Sequence, residues 1–296
     1  MSRSRREPTT VTPGVLRQWP LPEPSGSKNS RGSILVIGGS TGTLGAVLLA
    51  AEAAMRAGAG KLQVATVASM APHVATALPE ALVRALPETD GGAISPEAAD
   101  VVRDLAEAAD AVLIGPGMAD TEATQGFGER LLPHLHGPLA LDALALAAVT
   151  ARADCVHHLE GRAVLTPNPT EAALSLHVDE QEIDDDPAGA AAELAARARA
   201  VVGLGGAVSW TAAPDGALWR DEGGTAGLGV SGSGDVRAGI TGGLLARGAD
   251  AAQAAVWSAW LHGRAGERLA SSVGRLGFLA RELPAEVPRV LAEVAN

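Results

Sequence analysis

Short apolar runs, each closed by glycine or a polar residue, alternate along this chain with Ala-rich stretches of helical spacing. Ser33-Ile34-Leu35-Val36-Ile37 ends in Gly38-Gly39 and predicts a strand buried on both faces. Gly45 to Gly58 predicts a helix, with Gly58 where a C-terminal cap belongs. Lys61 to Thr66 predicts a second strand. Ser95-Pro96-Glu97 combines the cap, proline and early acid of a helix start. Further strands are predicted over Ala111 to Ile114, Pro138 to Leu141 and Ala163 to Leu165. They stop at Gly115-Pro116-Gly117, at Asp142 and at Thr166-Pro167.

The second half keeps this rhythm. Asp186-Pro187 opens an Ala-rich helix predicted to run to about Val202. Ala207 to Ala212 and Ala217 to Arg220 predict a hairpin, joined by the turn Pro214-Asp215-Gly216. A glycine-rich loop, Gly223 to Gly234, leads into a helix from Asp235 to Arg247, and a last long helix covers roughly 250–269. Residues 1–30, rich in Pro, Ser, Arg and Thr, read as an irregular arm. No repeat or linker interrupts 31–296, so one domain is expected there. Strands alternating with helices imply a mostly parallel sheet covered on both faces. Ligands in such sheets bind beyond the carboxyl ends of the strands, where the polar and glycine-rich stops lie.

Composition narrows the function classes. The net charge of −11 leaves no basic surplus to neutralise phosphates, so a nucleic-acid partner is not expected. Cys155 is the single cysteine, which excludes an intramolecular disulfide and a cysteine-rich metal site. It reads as a small residue near a strand start. No apolar run approaches a membrane span, and no apolar segment follows Arg3, Arg5 and Arg6, so no secretory leader is expected. The cytoplasm is the expected compartment by default. His73, His134, His136, His157, His158, His177 and His262 show no metal-ligand spacing and read as structural or solvent-facing.

The strongest local signal is Gly227-Leu228-Gly229-Val230-Ser231-Gly232-Ser233-Gly234-Asp235-Val236. Glycines let backbone N–H groups converge, and a helix start favours an anion. A carboxylate just after such a cradle would repel phosphate, unless Asp235 takes a proton from a hydroxyl that attacks it. A plain helix cap at Ser233 or Asp235 fits these residues equally. Gly38-Gly39-Ser40-Thr41-Gly42-Thr43-Leu44-Gly45-Ala46 is a second strand–loop–helix unit, with neither dinucleotide nor P-loop spacing. Asp142 could bind a metal-linked water or cap the next helix. Glu171 could orient a hydrated metal or serve an early helical turn.

Four stretches in this order resemble the ADP/ATP-dependent NAD(P)H-hydrate dehydratases, ribokinase-like α/β enzymes of nicotinamide-nucleotide repair. They are VIGGSTGTLGAVLLAAEAAMRAGAGKLQVAT at 36–66, IGPGM at 114–118, LTPNPTEAALSL at 165–176 and TAGLGVSGSGDVRAGITGGLLARG at 225–248. The resemblance implies phosphorylation of the hydroxyl of S-epimeric NADH or NADPH hydrate, then elimination of phosphate, with ADP or ATP as co-substrate and Mg²⁺ bridging its phosphates. It implies Asp235 as the base and Gly232, Ser233 and Gly234 as the anion hole. It places Ala46, Gly117 and Asn168 at the hydrate, and Gly205, Gly206 and Ser209 at the nucleotide. A homo-oligomer, a tetramer in many members, is implied as well.

Three departures stand out. Gly205-Gly206 replaces the usual Lys-Gly, Asn168 replaces the usual His with Thr170 in place of the following Gly, and Leu144 replaces the usual second Asp after Asp142. A small-molecule kinase on the same fold, and a non-catalytic nucleotide-binding relative, are the alternatives these departures keep open.

Overall fold

The computed structural model describes residues 7–23 and 26–295; the basic start at Arg3, Arg5 and Arg6 lies outside the described residues. Among the described residues ten strands form one sheet. They are β1 (Thr9–Thr10), β2 (Ser33–Ile37), β3 (Lys61–Val67), β4 (Ala81–Leu86), β5 (Ala111–Ile114), β6 (Leu139–Leu141), β7 (Ala163–Leu165), β8 (Val201–Leu204), β9 (Ser209–Ala212) and β10 (Leu218–Asp221). Their spatial order is β1-β10-β9-β8-β7-β6-β5-β2-β3-β4. From β4 to β8 every neighbouring pair is parallel. The β9–β10 hairpin, expected from its turn residues, is antiparallel.

Alternation along each strand divides the core in two. Ile34, Val36, Leu113, Ala140 and Val164 face one side, under the helices Leu44–Arg56, Ser233–Ala246 and Ala251–Ser272. Leu35, Ile37, Val112, Leu141 and Leu165 face the other, under Ala98–Ala108, Thr121–Leu131 and Pro187–Ala198. A sheet buried on both faces needs apolar residues at every position, which is why these strands read as continuous apolar runs. The closest helix crossing sets Gly239 and Gly243 against the backbone of Ala50 and Ala54.

The chain runs from β2 outward through β3 to β4, then returns to the other side of β2 as β5 and proceeds through β6 and β7 to β8. The strand order therefore reverses between β2 and β5. Such a switch point opens a crevice at the carboxyl ends of the two strands.

Three segments depart from the pattern reading. The helix predicted to reach Val202 ends at Ala198: Arg199 turns left-handed with φ 49°, and the buried run Val201–Leu204 pairs with β7. β4 was not predicted; as an edge strand it is partly exposed and carries Arg84. The lead-in expected to be irregular holds β1 and the helix Pro13–Gln18. Those elements cover the sheet edge: β1 pairs with β10, and the Trp19 ring stacks on Trp219 at 5.7 Å. Trp257 Nε1 and Gln253 Nε2 both donate to the Trp19 carbonyl, at 3.0 and 3.1 Å.

Candidate active site

Beyond the ends of the parallel strands the loops stay stitched by backbone bonds. Gly115 donates to Ile37 at 3.1 Å, Asp142 to Ile114 at 3.0 Å, Thr166 to Leu141 at 3.0 Å and Gly205 to Pro167 at 2.9 Å. These bonds fix a row of loops across the crevice. At the switch point, Gly117 has φ 68°, and a Cβ there would lie 2.3 Å from the Thr43 carbonyl oxygen and 2.9 Å from Ala46 Cβ. Only glycine lets the two loops meet so closely. Thr43 Oγ1 locks the contact by donating to the Gly117 carbonyl at 2.6 Å. Ala46 and Gly117, picked out from separate motifs, thus stand side by side.

The helix Ser233–Ala246 brings charge to the same end of the sheet. Gly232 caps it with φ 89° and no side-chain cap bond; the Ser233 N–H turns back to the Val230 carbonyl at 3.1 Å, which leaves the Gly234 N–H to meet an anion. Asp235 lies in that first turn. Burial pushes its carboxyl up to about 6; a backbone N–H bond opposes the rise and the Glu171 carboxylate adds to it. A carboxyl poised there can exchange a proton near neutral pH, as a general base must. Asp142 is more deeply buried, and burial pushes it up to about 8. The Thr166 hydroxyl, donating to Asp142 Oδ1 at 2.6 Å, opposes this, while Glu171 and Asp235 add to it. Asp142, Glu171 and Asp235 are therefore close enough to act on one another's charge.

Asn168 caps the helix Pro169–Leu176. Its Oδ1 accepts from the Glu171 N–H at 2.8 Å, and Glu171 Oε2 accepts from the Asn168 N–H at 2.9 Å. The cap engages Oδ1 and leaves the Nδ2 amide of this exposed residue out of it. Gly205 and Gly206 follow β8, and Ser209 opens β9. Three strand spacings, about 14 Å, separate β8 from β5, so the Gly205 loop and Gly117 follow strands set apart along the carboxyl edge of the sheet.

Two side chains packed around the Ser233 helix start carried no sequence signal. His262, treated as structural, places Nε2 2.8 Å from Ser233 Oγ. Burial, reinforced by the Arg237 cation, drops its imidazole to about 3, so it is neutral. Arg237 itself is 7% exposed, and its Nε and Nη2 have no hydrogen-bond partner. Neither a 29-residue separation nor an arginine inside a helical pattern marks a site. Cys155 lines a separate cavity beside Leu132, His136 and His158; burial pushes its thiol up to about 11 and keeps it unreactive near neutral pH. His157 and His158 bond backbone carbonyls at 2.9 Å, as structural histidines do. Among the described residues, no group of three His, Cys, Asp or Glu side chains converges to hold a metal unaided.

Fold and site define a class: parallel α/β proteins that take ligands beyond their strand ends, with an open helix start beside a carboxylate of raised pKa. The chain belongs to the NAD(P)H-hydrate dehydratase family, whose model matches residues 34–289. It is 48% identical to an ADP-dependent (S)-NAD(P)H-hydrate dehydratase of Xanthomonas campestris, over 95% of this chain and 96% of that one. It is 37% identical to a bifunctional NAD(P)H-hydrate repair enzyme of Moorella thermoacetica, covering 93% of this chain but 52% of that longer protein. The ADP/ATP-dependent NAD(P)H-hydrate dehydratase of Bacillus subtilis, co-crystallised with ATP and Mg²⁺, superposes with TM-score 0.83 at 30% identity, covering 97% and 99% of the two chains. A ribokinase-like superfamily protein of Enterococcus faecalis superposes with TM-score 0.83 at 21% identity, covering 99% of each chain. The fold is ribokinase-like, as the motif order implied.

Proposed function

We propose that this chain dehydrates the S-epimer of hydrated NADH or NADPH, consuming ADP and releasing AMP and phosphate. The observation that carries the reading is the near full-length 48% identity to the Xanthomonas dehydratase. In this reading Asp235 accepts the proton of the hydrate hydroxyl as that oxygen attacks the terminal phosphorus of ADP. AMP leaves. The new phosphate ester then breaks at its C–O bond, and a neighbouring ring carbon gives up a proton, which restores the dihydropyridine. Hydroxide is a poor leaving group and phosphate a good one.

The helix start formed by Gly232, Ser233 and Gly234 stabilises the transferring phosphoryl group; its donor is the Gly234 N–H, since the Ser233 N–H is taken by the Val230 carbonyl. The neutral His262 bonds Ser233 Oγ and so positions the first residue of that turn. Ala46 and Gly117 present a small, uncharged surface to the nicotinamide ring, and Asn168 offers Nδ2 to the substrate. Gly205, Gly206 and Ser209 hold the nucleotide.

The oxygens of Glu171, and of Asp142 once a cation displaces its proton, suit a hydrated Mg²⁺ accompanying the nucleotide phosphates, which needs no all-protein cage. Bound there, Mg²⁺ would neutralise phosphate charge. No helix among the described residues is long and apolar enough to cross a membrane, and we assign the protein to the cytoplasm. A homo-tetramer completes the reading and is tested by light scattering.

The test is incubation with Mg²⁺, ADP or ATP and hydrated NADH, following the return of dihydronicotinamide absorbance. Recovery with ADP is expected. No recovery with either nucleotide overturns the dehydratase reading, and nucleotide binding without turnover would mark a non-catalytic relative.

A further inference from the structure

The nucleotide loop Gly205-Gly206-Ala207-Val208-Ser209 carries no cation of its own. Behind it lies a guanidinium from another element. Arg237 is one helical turn below Ser233 on the helix Ser233–Ala246, so the two share a face. Its Nη2 lies 3.2 Å from the point where a Cβ at Gly203 would sit, and its Nη1 lies 3.3 Å from the same point at Gly205. Residues 203 and 205 point to one face of the chain along and just beyond β8. Two absent side chains thus clear a slot, and the guanidinium occupies it.

The side chain is 7% exposed, yet Nε and Nη2 have no partner. Asp221 and Asp142 are near enough to favour its charge, but among the described residues no ion pair joins either to Arg237. Asp221 Oδ2 is itself without a partner. A buried guanidinium with open donors is costly to retain, because the desolvation penalty is met only when a partner arrives. The planar fork matches phosphate oxygens, two N–H groups at a time. The open end of the slot is at Gly205, and the open helix start one turn above also favours an anion.

We propose that Arg237 is the cationic contact for the phosphate chain of the bound nucleotide, reaching it through the slot left by Gly203 and Gly205. The assignment rests on the nucleotide reading of the Gly205 to Ser209 loop. The cation is delivered from behind the loop, on the same helix that carries Asp235, so base and phosphate clamp move as one rigid unit.

The test is binding calorimetry on the full chain with ADP and with adenosine, in Mg²⁺, for wild type, Arg237→Met and Arg237→Lys. Met keeps the length of the stem and removes the fork. We expect Arg237→Met to lose tenfold or more in ADP affinity while adenosine changes less than twofold. Arg237→Lys should fall between, since the charge stays and the fork is lost. The thermal midpoint of ligand-free Arg237→Met should equal or exceed that of wild type, because an unpaired buried charge has gone. Gly205→Lys combined with Arg237→Met supplies a cation from the loop side into the vacated slot and should recover most of the ADP affinity.

ADP affinity unchanged in Arg237→Met overturns the proposal. So does an equal loss for ADP and adenosine with a lowered midpoint, which would make Arg237 a structural partner of Asp221. Should Arg237→Met not fold, Arg237→Lys decides: full ADP affinity in that variant overturns the fork contact. A wild-type chain that restores hydrated NADH but shows no Arg237 effect removes this assignment alone. A wild-type chain that binds neither ADP nor ATP removes the nucleotide reading with it.

Discussion

The two glycine-rich loops use one device for different ends. Each leads into a helix at the carboxyl edge of the sheet. In the first, Gly38 to Thr43, the helix start is neutral: its first turn holds no acid, and its neighbours are Gly117 and Ala46. In the second, Gly227 to Gly234, the first turn holds Asp235 and the next holds Arg237. Both loops mix packed and open glycines: Gly38 meets the Pro116 carbonyl and Gly227 the Arg275 carbonyl, while a Cβ at Gly42 or Gly234 would have no atom within 4 Å. The two helix starts therefore differ in charge rather than in packing, which is the difference the proposed roles of the two ends require. The lesson is that a glycine-rich helix start is not itself a phosphate site; the charged groups on the following turns make the difference.

The largest test of that contrast is Asp235→Asn, which should lower turnover about a thousandfold while ADP affinity changes little. Hydrated-NADH turnover and calorimetry check both halves, and activity within tenfold of wild type would remove Asp235 from the base role. Stability should move the other way. The folded carboxyl titrates near 6, above its unfolded value of about 3.9, so it favours folding below pH ~4 and loses that contribution as pH rises through 6. Above pH 7 the Asn variant should melt no lower than wild type.

Next, Gly117→Ala should cost about 2–4 kcal/mol in urea unfolding, because the new Cβ meets backbone at a positive φ. Gly234→Ala should be neutral or stabilise by up to about 1 kcal/mol, yet raise the KM for ADP by narrowing the anion site. If the two variants exchanged behaviours, the contrast between a packed Gly117 and an open Gly234 would fail.

A third expectation concerns pH. In ligand-free enzyme Asp235 must be ionised to accept a proton, so kcat/KM should fall below an apparent pKa near 6. A profile flat from pH 5 to 8 would detach the base from Asp235. The smallest effect is Asn168→Ala, which removes one cap bond and should cost about 1 kcal/mol. If Nδ2 also touches substrate, the hydrate KM rises with it while the ADP KM stays.

Much of the frame was legible because parallel strands buried on both faces leave uninterrupted apolar runs, as at Ser33–Ile37 and Ala111–Ile114. The strand-end positions of Asp235, Gly117 and Ala46 were legible because the motifs that carry them follow apolar runs or open a helix. β4 was not, since an edge strand exposed on one face lacks that run. β8 was absorbed into the preceding Ala-rich helix because only the left-handed turn at Arg199 separates them, and arginine is no turn residue. Arg237 and His262 were invisible for a different reason. Their surroundings are set by what lies across the fold, Gly203 and Gly205 for one and Ser233 for the other, and local pattern carries no such information.

The N-terminal segment has a consequence for how the chain is made. Thr9 and Thr10 pair with Trp219 and Arg220, and Trp19 is gripped by Gln253 and Trp257, more than 200 residues downstream. On the ribosome, residues 9–20 emerge early, but their berth is completed only after Trp257 has been synthesised. At about 5–20 residues per second, they wait some ten seconds or more. During that interval Trp19 and the β10 edge are exposed to other chains. A nascent chain stalled before Trp257 would lack the groups that hold Trp19 and so could not seal that edge as the full chain does.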